Sequence, residues 1–311
     1  MNIKNKIFDT NKLTEPETEF YFGVEGIEVN LIDYPRNPYR NIMEMTLATW
    51  GSKINKWGLL SPEERFEVVK LALNRKALPL GLESPAFLFS IDNVSRSSFD
   101  QIARQRIGST FSSLGWCNIH TKTGIRVPRE IADNPISYML FVKECNSIKE
   151  IYYNLINYNK ISWQAARAIL PMSLLHKFYF SVNFMSLIAF CGRRLCFSEQ
   201  EDTVATAWLM RERIMEKFPF LGKYLRPSCD YSKRCGYQTG DSLPEEMGAL
   251  FSPCGRNKCN CVPNVEFPIS CSDRERIMSD LNIYIPKSVE GFPEKEYKEL
   301  TIIDKELFNA D

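Results

Sequence analysis

The stretch Ser95-Arg96-Ser97-Ser98-Phe99-Asp100-Gln101-Ile102-Ala103-Arg104-Gln105-Arg106-Ile107-Gly108-Ser109 crowds three guanidiniums among hydroxyls and amides. A guanidinium grips phosphate with a planar two-pronged fork, so such a cluster suits a nucleotide or a diphosphate cofactor. Read as a helix, the stretch sets Gln101 and Arg104 on one face at an i, i+3 spacing and Arg106 and Ser109 on another edge. Taken alone, a charge cluster is more often a solvated helix face, so the rest of the chain must decide.

Cysteines offer a second kind of chemistry. Cys229, Cys235, Cys254 and Cys259, with Cys261 as a substitute, lie in Gly-, Pro- and Asn-rich sequence. Four thiolates can hold a structural zinc or an iron–sulfur cluster, but these spacings are permissive and free thiols remain the alternative. Cys191 and Cys196, in and just after an apolar segment, read as core residues. Histidine chemistry is thin, because only His120 and His176 are present. A Cys117–His120 couple would need a third group to orient it, and no candidate is visible.

Several elements position these residues. Gly26 to Tyr34 alternates as a strand closed by Pro35, and Asn37-Pro38 opens a helix. Ser61-Pro62-Glu63-Glu64 carries an N-cap, a proline at the first helical position and a glutamate reaching back, which predicts a helix to about Asn74. Residues 86–92 read as a strand feeding the arginine-rich helix, and Thr121 to Pro135 as a polar loop. Beyond Ser137 the periodicity is mostly helical: Tyr138–Ile156, Ser162–Leu170 stopped by Pro171, and a helix from Ser181-Val182-Asn183 to Arg194. At that spacing Phe178, Tyr179, Phe180 and Phe184 read as core. Ser198-Glu199-Gln200-Glu201 reads as another capping box. The expected class is α+β, a small sheet packed with a helical bundle, over residues 20–228, followed by a cysteine-rich C-terminal extension over 229–311.

Composition narrows the partners. A net charge of +1 gives no basic field for a nucleic-acid polymer, so any phosphate is expected in a local pocket. No run is long enough to span a membrane and no signal core follows Met1, which leads us to expect a cytoplasmic protein with reduced thiols.

Four separated pieces then fall into one order. They are Leu82-Glu83-Ser84-Pro85-Ala86-Phe87-Leu88-Phe89 with Ser95-Arg96, Gln101-Ile102-Ala103-Arg104-Gln105-Arg106-Ile107-Gly108-Ser109, Ala166-Arg167-Ala168-Ile169-Leu170-Pro171, and Asn183 through Arg194 to Glu199-Gln200. In order and spacing this resembles the flavin-dependent thymidylate synthases over roughly residues 25–228. That family carries Leu-Glu-His-x-x-Phe-Thr-Phe, Ser-Arg, Gln-x-x-Arg-His-Arg, Ala-Arg-x-x-Leu-Pro, Thr-x-Asn-x-Arg and an arginine followed by Ala-Gln.

The resemblance implies a methyltransferase that converts dUMP, or a related uridine nucleotide, at C5 with methylenetetrahydrofolate, FAD and NADPH. It implies no protein nucleophile, and a homotetramer with sites where subunits meet. By position, Gln101, Arg104, Arg167 and Arg194 would bind the nucleotide, with Arg194 the catalytic candidate against the uracil ring, favouring ionisation at N3. Arg104, Gln105, Arg106 and Asn183 would meet FAD.

The chain also departs from the pattern. Ser84 stands for its histidine, Gln105 for the centre of Arg-His-Arg, and Met185 for the arginine of Asn-x-Arg. Phe111, Leu114, Trp116 and Cys117 stand for Asn, Ser, Arg and Tyr, Leu78 and Leu80 for a His-x-Ser, and Glu199 for the alanine of Ala-Gln. These losses open an alternative: a catalytically silent relative that binds a nucleotide as a sensor or partner protein.

Overall fold

The computed structural model describes residues 18–48, 50–51, 53, 55–74, 79–113, 124–195, 199–227 and 296–310. Leu114, Trp116, Cys117, His120, Cys196, Ser198 and the proposed metal quartet Cys229, Cys235, Cys254 and Cys259, with Cys261, lie outside them.

The architecture is α+β. In chain order the elements are β1 (Phe20–Phe22), β2 (Glu28–Asp33), α1 (Pro38–Thr46), α2 (Pro62–Leu73), β3 (Ala86–Ser95), α3 (Arg96–Ile102), β4 (Ser109–Ser113), β5 (Ile125–Val127), α4 (Arg129–Ala132), α5 (Pro135–Asn157), α6 (Trp163–Ala166), β6 (Leu175–Asn183), α7 (Phe184–Arg194), α8 (Glu201–Lys217), α9 (Pro219–Gly222) and α10 (Ile302–Asn309). Helix starts follow local chemistry. Ser61 caps α2 while Glu64 accepts the Ser61 N–H at 2.8 Å, and Asn37 caps α1.

A four-stranded antiparallel sheet in the order β2-β3-β6-β4 forms the floor of the main core. Its inner face alternates as a half-buried strand must: Phe87, Phe89 and Ile91 oppose Val182, Phe180 and Phe178, all buried. Phe111 on β4 stacks on Phe180 at 4.5 Å between ring centres. A bulge between Ile91 and Val94, with Asn93 at φ 62°, re-aims β3 so that Ser95 becomes the N-cap of α3. A second, parallel pair, β1 and β5, is tied to this bulge by buried Arg126, which donates to the carbonyls of Gly23 and Glu25 at 2.8 Å and to that of Asn93.

Four expectations are corrected. Helix α3 stops at Ile102 instead of running to Ser109, because the chain turns at Gly108 (φ 63°) to enter β4; Arg106 and Ser109 therefore share no helix edge. Ser181 to Asn183 end a strand, and the expected helix to Arg194 starts only at Phe184, with Asn183 as its N-cap. Their segment alternates, with Tyr179 exposed between buried Phe178 and Phe180, so only those two are sheet core at period two, while Phe184 is core on the first turn of α7. The polar stretch Thr121–Pro135 contains β5 and α4. Finally, α8 starts at Glu201 with Gln200 as its N-cap in place of the expected Ser198, and Gln200 makes no side-chain capping bond.

Past the cysteine-rich region the chain returns to the main core. Phe308 of α10 is buried and stacks on Tyr39 at 4.4 Å, and Asp304 is hydrogen-bonded to the Tyr39 hydroxyl.

Candidate active site

Three helix ends meet at the edge of the sheet. Ser95 caps α3 by accepting the Ser98 N–H at 3.1 Å. The start of α8 lies against that helix and interlocks with it. Gln200 Nε2 donates to Ser95 Oγ at 3.1 Å and Ser97 Oγ at 2.8 Å, while Gln101 Nε2 donates to Gln200 Oε1 at 3.0 Å. Thr203 Oγ1 reaches Gln101 Oε1 at 3.3 Å and lies 2.8 Å from Ser98 Oγ. Asp202, fully buried, accepts the Ser95 N–H at 3.0 Å, and burial pushes its carboxyl above the usual range.

The third helix end brings Arg194, in the last turn of α7, where a cation also complements the helix dipole. Its guanidinium is buried. One terminal nitrogen is paired with Glu199 and the other donates to the Gln101 carbonyl. Gln101 and Arg194, both expected in the nucleotide pocket, are thus in direct contact.

The remaining expected residues surround this network. Arg104 and Arg106 are exposed on the turn after α3, and neither makes a side-chain hydrogen bond or ion pair among the described residues. Gly108 presses that turn against the start of α7: Asn183 donates its N–H to the Gly108 carbonyl at 2.9 Å, and a Cβ on Gly108 would lie 2.3 Å from Ser186 Oγ. Asn183 caps α7 through its side chain, and Gln105 Nε2 bonds the Ile107 carbonyl at 3.3 Å. Both amides therefore have structural partners. Arg167 is half-buried on the turn Arg167–Ile169, beside Ala166 and Leu170 of a second core. The carbonyls of Met172 and Leu174 that follow accept the Ser97 and Arg96 N–H groups, which joins this segment to α3.

Profile comparison decides the ancestry: the profile of the thymidylate synthase complementing protein family matches residues 30–220. The chain belongs to that family. It is 29% identical over 203 residues to the flavin-dependent thymidylate synthase of Pyrococcus furiosus, covering 61% of this chain and 80% of the relative. Likeness to the flavin-dependent thymidylate synthase of Clostridium tetani is 24% over 225 residues, covering 66% and 88%. Among solved structures, the UMP/dUMP methylase PolB from Streptomyces cacaoi bound with 5-Br dUMP matches with a TM-score of 0.51 at 17% identity, over 66% of this chain and 96% of that one. At that identity the likeness speaks to the fold.

Within this family member, the departures have visible consequences. Met185, at the place of an arginine, packs against the main core and puts no cation beside Asn183. Glu199, at the place of an alanine, pairs with Arg194. Asp202 and Thr203 were not singled out from sequence, because they carry no local pattern, and Gln200 was named only as part of a motif, without its partners. The two described cysteines, Cys145 and Cys191, are buried, and burial raises both thiols, that of Cys191 to about 12, so neither supplies a thiolate at neutral pH. Among the described residues no cluster of His, Cys, Asp or Glu could hold a metal ion, and no helix is long and apolar enough to cross a membrane.

Proposed function

We propose that this chain methylates C5 of dUMP or a related uridine nucleotide, with methylenetetrahydrofolate as one-carbon donor, FAD as hydride carrier and NADPH as reductant. The observation that carries the reading is the buried Arg194 guanidinium held directly against Gln101 at the meeting of α3, α7 and α8. A fixed guanidinium in a water-poor site donates to a pyrimidine carbonyl with little reorganisation.

The donor set also fits a flavin dinucleotide. Arg104 and Arg106, exposed on the turn held by Gly108 against the N-terminus of α7, suit a diphosphate dianion. Asn183 and Gln105 hold that turn and helix start in place. Bound there, FAD supplies the hydride that completes the methyl group. Arg167, on the segment joined to α3, is assigned to the nucleotide phosphate. Among the described residues both cysteines, Cys145 and Cys191, are buried, in keeping with a reaction in which the protein orients its substrates.

The proposal includes a cytoplasmic homotetramer with sites at subunit boundaries. Its support is α5, where Ile136, Met139 and Leu140 are all exposed by more than half. The test is spectroscopic: purified protein should carry, or take up, a yellow flavin that NADPH bleaches. A protein that takes up no flavin yet binds dUMP would be the silent, nucleotide-sensing relative instead.

A further inference from the structure

Thr203 is fully buried on the first turn of α8 and belongs to none of the motifs that point to the site. Its hydroxyl does not turn back onto its own helix, as that of Thr206 does by donating to the Asp202 carbonyl at 2.7 Å. It crosses to α3 instead, where it donates to Gln101 Oε1 at 3.3 Å and lies 2.8 Å from the fully buried Ser98 Oγ. A hydroxyl has one proton to give. With that proton spent on Gln101, Thr203 accepts from Ser98, so the donors run from Ser98 through Thr203 to Gln101. The Gln101 amide continues the same direction: its Nε2 donates to Gln200 Oε1 at 3.0 Å, and Gln200 Nε2 donates to Ser95 Oγ at 3.1 Å and Ser97 Oγ at 2.8 Å. An amide carries two donor hydrogens and an oxygen with two lone pairs. Thr203 and Gln200 take one of each, which leaves the half-buried Gln101 one N–H and one lone pair, with both ends of its amide held.

Resting on the reading that Gln101 meets the nucleotide, we propose that Thr203 is a positioning residue of this site: its hydroxyl holds the Gln101 amide in one orientation, so that the nucleotide meets a donor and an acceptor already in place. Glutamine is a long side chain whose amide can turn over, and ordering it at the moment of binding costs affinity. Gln200 alone would leave that amide hinged on a single hydrogen bond. Valine has the shape of threonine without the hydroxyl, so T203V separates the hydrogen bond from the packing.

The test is calorimetric binding of dUMP to the full-length chain in the presence of FAD, for wild type, T203V, T203S, Q101A and the combination of T203V with Q101A. T203V should weaken dUMP binding by about tenfold, the worth of one hydrogen bond. T203S keeps the hydroxyl and should stay within about twofold of wild type. Once Gln101 is alanine, T203V should weaken binding no further, because Thr203 acts through that side chain. A lower thermal midpoint follows from removing any buried hydroxyl, so the binding cycle decides and the midpoint does not. Unchanged affinity in T203V, T203S as weak as T203V, or a T203V loss that persists beside Q101A overturns the proposal and leaves the nucleotide site intact. Should T203V fail to fold, T203A takes its place in the same cycle. A Q101A variant that binds dUMP as tightly as wild type overturns the reading of Gln101 and the proposal with it, and a wild type that binds no dUMP overturns the nucleotide reading as a whole.

Discussion

At the scale of single residues, the account turns on Arg194 and its surroundings. Arg194→Ala should weaken dUMP binding by about 1.5–3 kcal/mol, the contribution of a hydrogen bond to a charged group. Calorimetry with a folded variant checks it, and an unchanged affinity would remove Arg194 from the pocket. His176 makes a different prediction. It packs against Phe99 at 4.5 Å between ring centres, and burial together with nearby Arg96 lowers its pKa from 6.5 to about 4. Above pH 6.5 both folded and unfolded chains hold it neutral. Below that value the unfolded chain gains a proton first, so stability falls as pH drops from 6.5 toward 4, by about 3 kcal/mol in all. His176→Gln should flatten this part of the acid limb in urea unfolding followed against pH; identical limbs would show that other groups set it. Sequence named Gln101 and Arg194 through their positions in the motifs that resemble the family's, as only a resemblance could. It did not name Glu199, Gln200 or Thr203 as their partners. Gln101 and Gln200 meet across a separation of 99 residues, and no local pattern encodes such a contact.

Elements were legible where a local signal was strong and unopposed. The capping box at Ser61 and Glu64 fixed the start of α2, and alternation placed β2 and β3. Segments with two compatible periods were not. The run Phe178 to Asn183 is apolar enough for either a helix or a strand, and pairing with β3 and β4 selects the strand. The same pairing takes Ser109, the last residue of the expected arginine-rich helix, into β4, and Arg104 and Arg106 fall on the turn before it. Helix α10 contributes stability from the far end of the chain. Phe308 stacks on Tyr39, the Phe308 carbonyl accepts from buried Arg65 at 2.6 Å, and the Ala310 carbonyl accepts from Trp57 Nε1 at 2.6 Å. Phe308→Ala should cost about 3–5 kcal/mol in denaturant unfolding, as large aromatic truncations in a core do. A loss below about 1 kcal/mol would mean that α10 is not part of the cooperative core.

The whole molecule combines a near-neutral charge with a local arginine cluster and a long helix, α5, on which Ile136, Met139 and Leu140 are exposed. Replacing both Met139 and Leu140 on α5 by aspartate should dissociate the proposed assembly, read as a drop in mass by light scattering. Unchanged mass would place the subunit contact elsewhere. Family membership and fold follow from four short motifs in register together with the sheet and helix ends that gather them. Activity depends on whether a site with Met185 and Glu199 in place of family residues still completes the transfer. The decisive measurement is mass-spectrometric detection of dTMP from dUMP incubated with the purified chain, FAD, NADPH and methylenetetrahydrofolate. The account predicts dTMP formation that requires all three additions and is lost in Arg194→Ala. A chain that binds dUMP and forms no dTMP would contradict it.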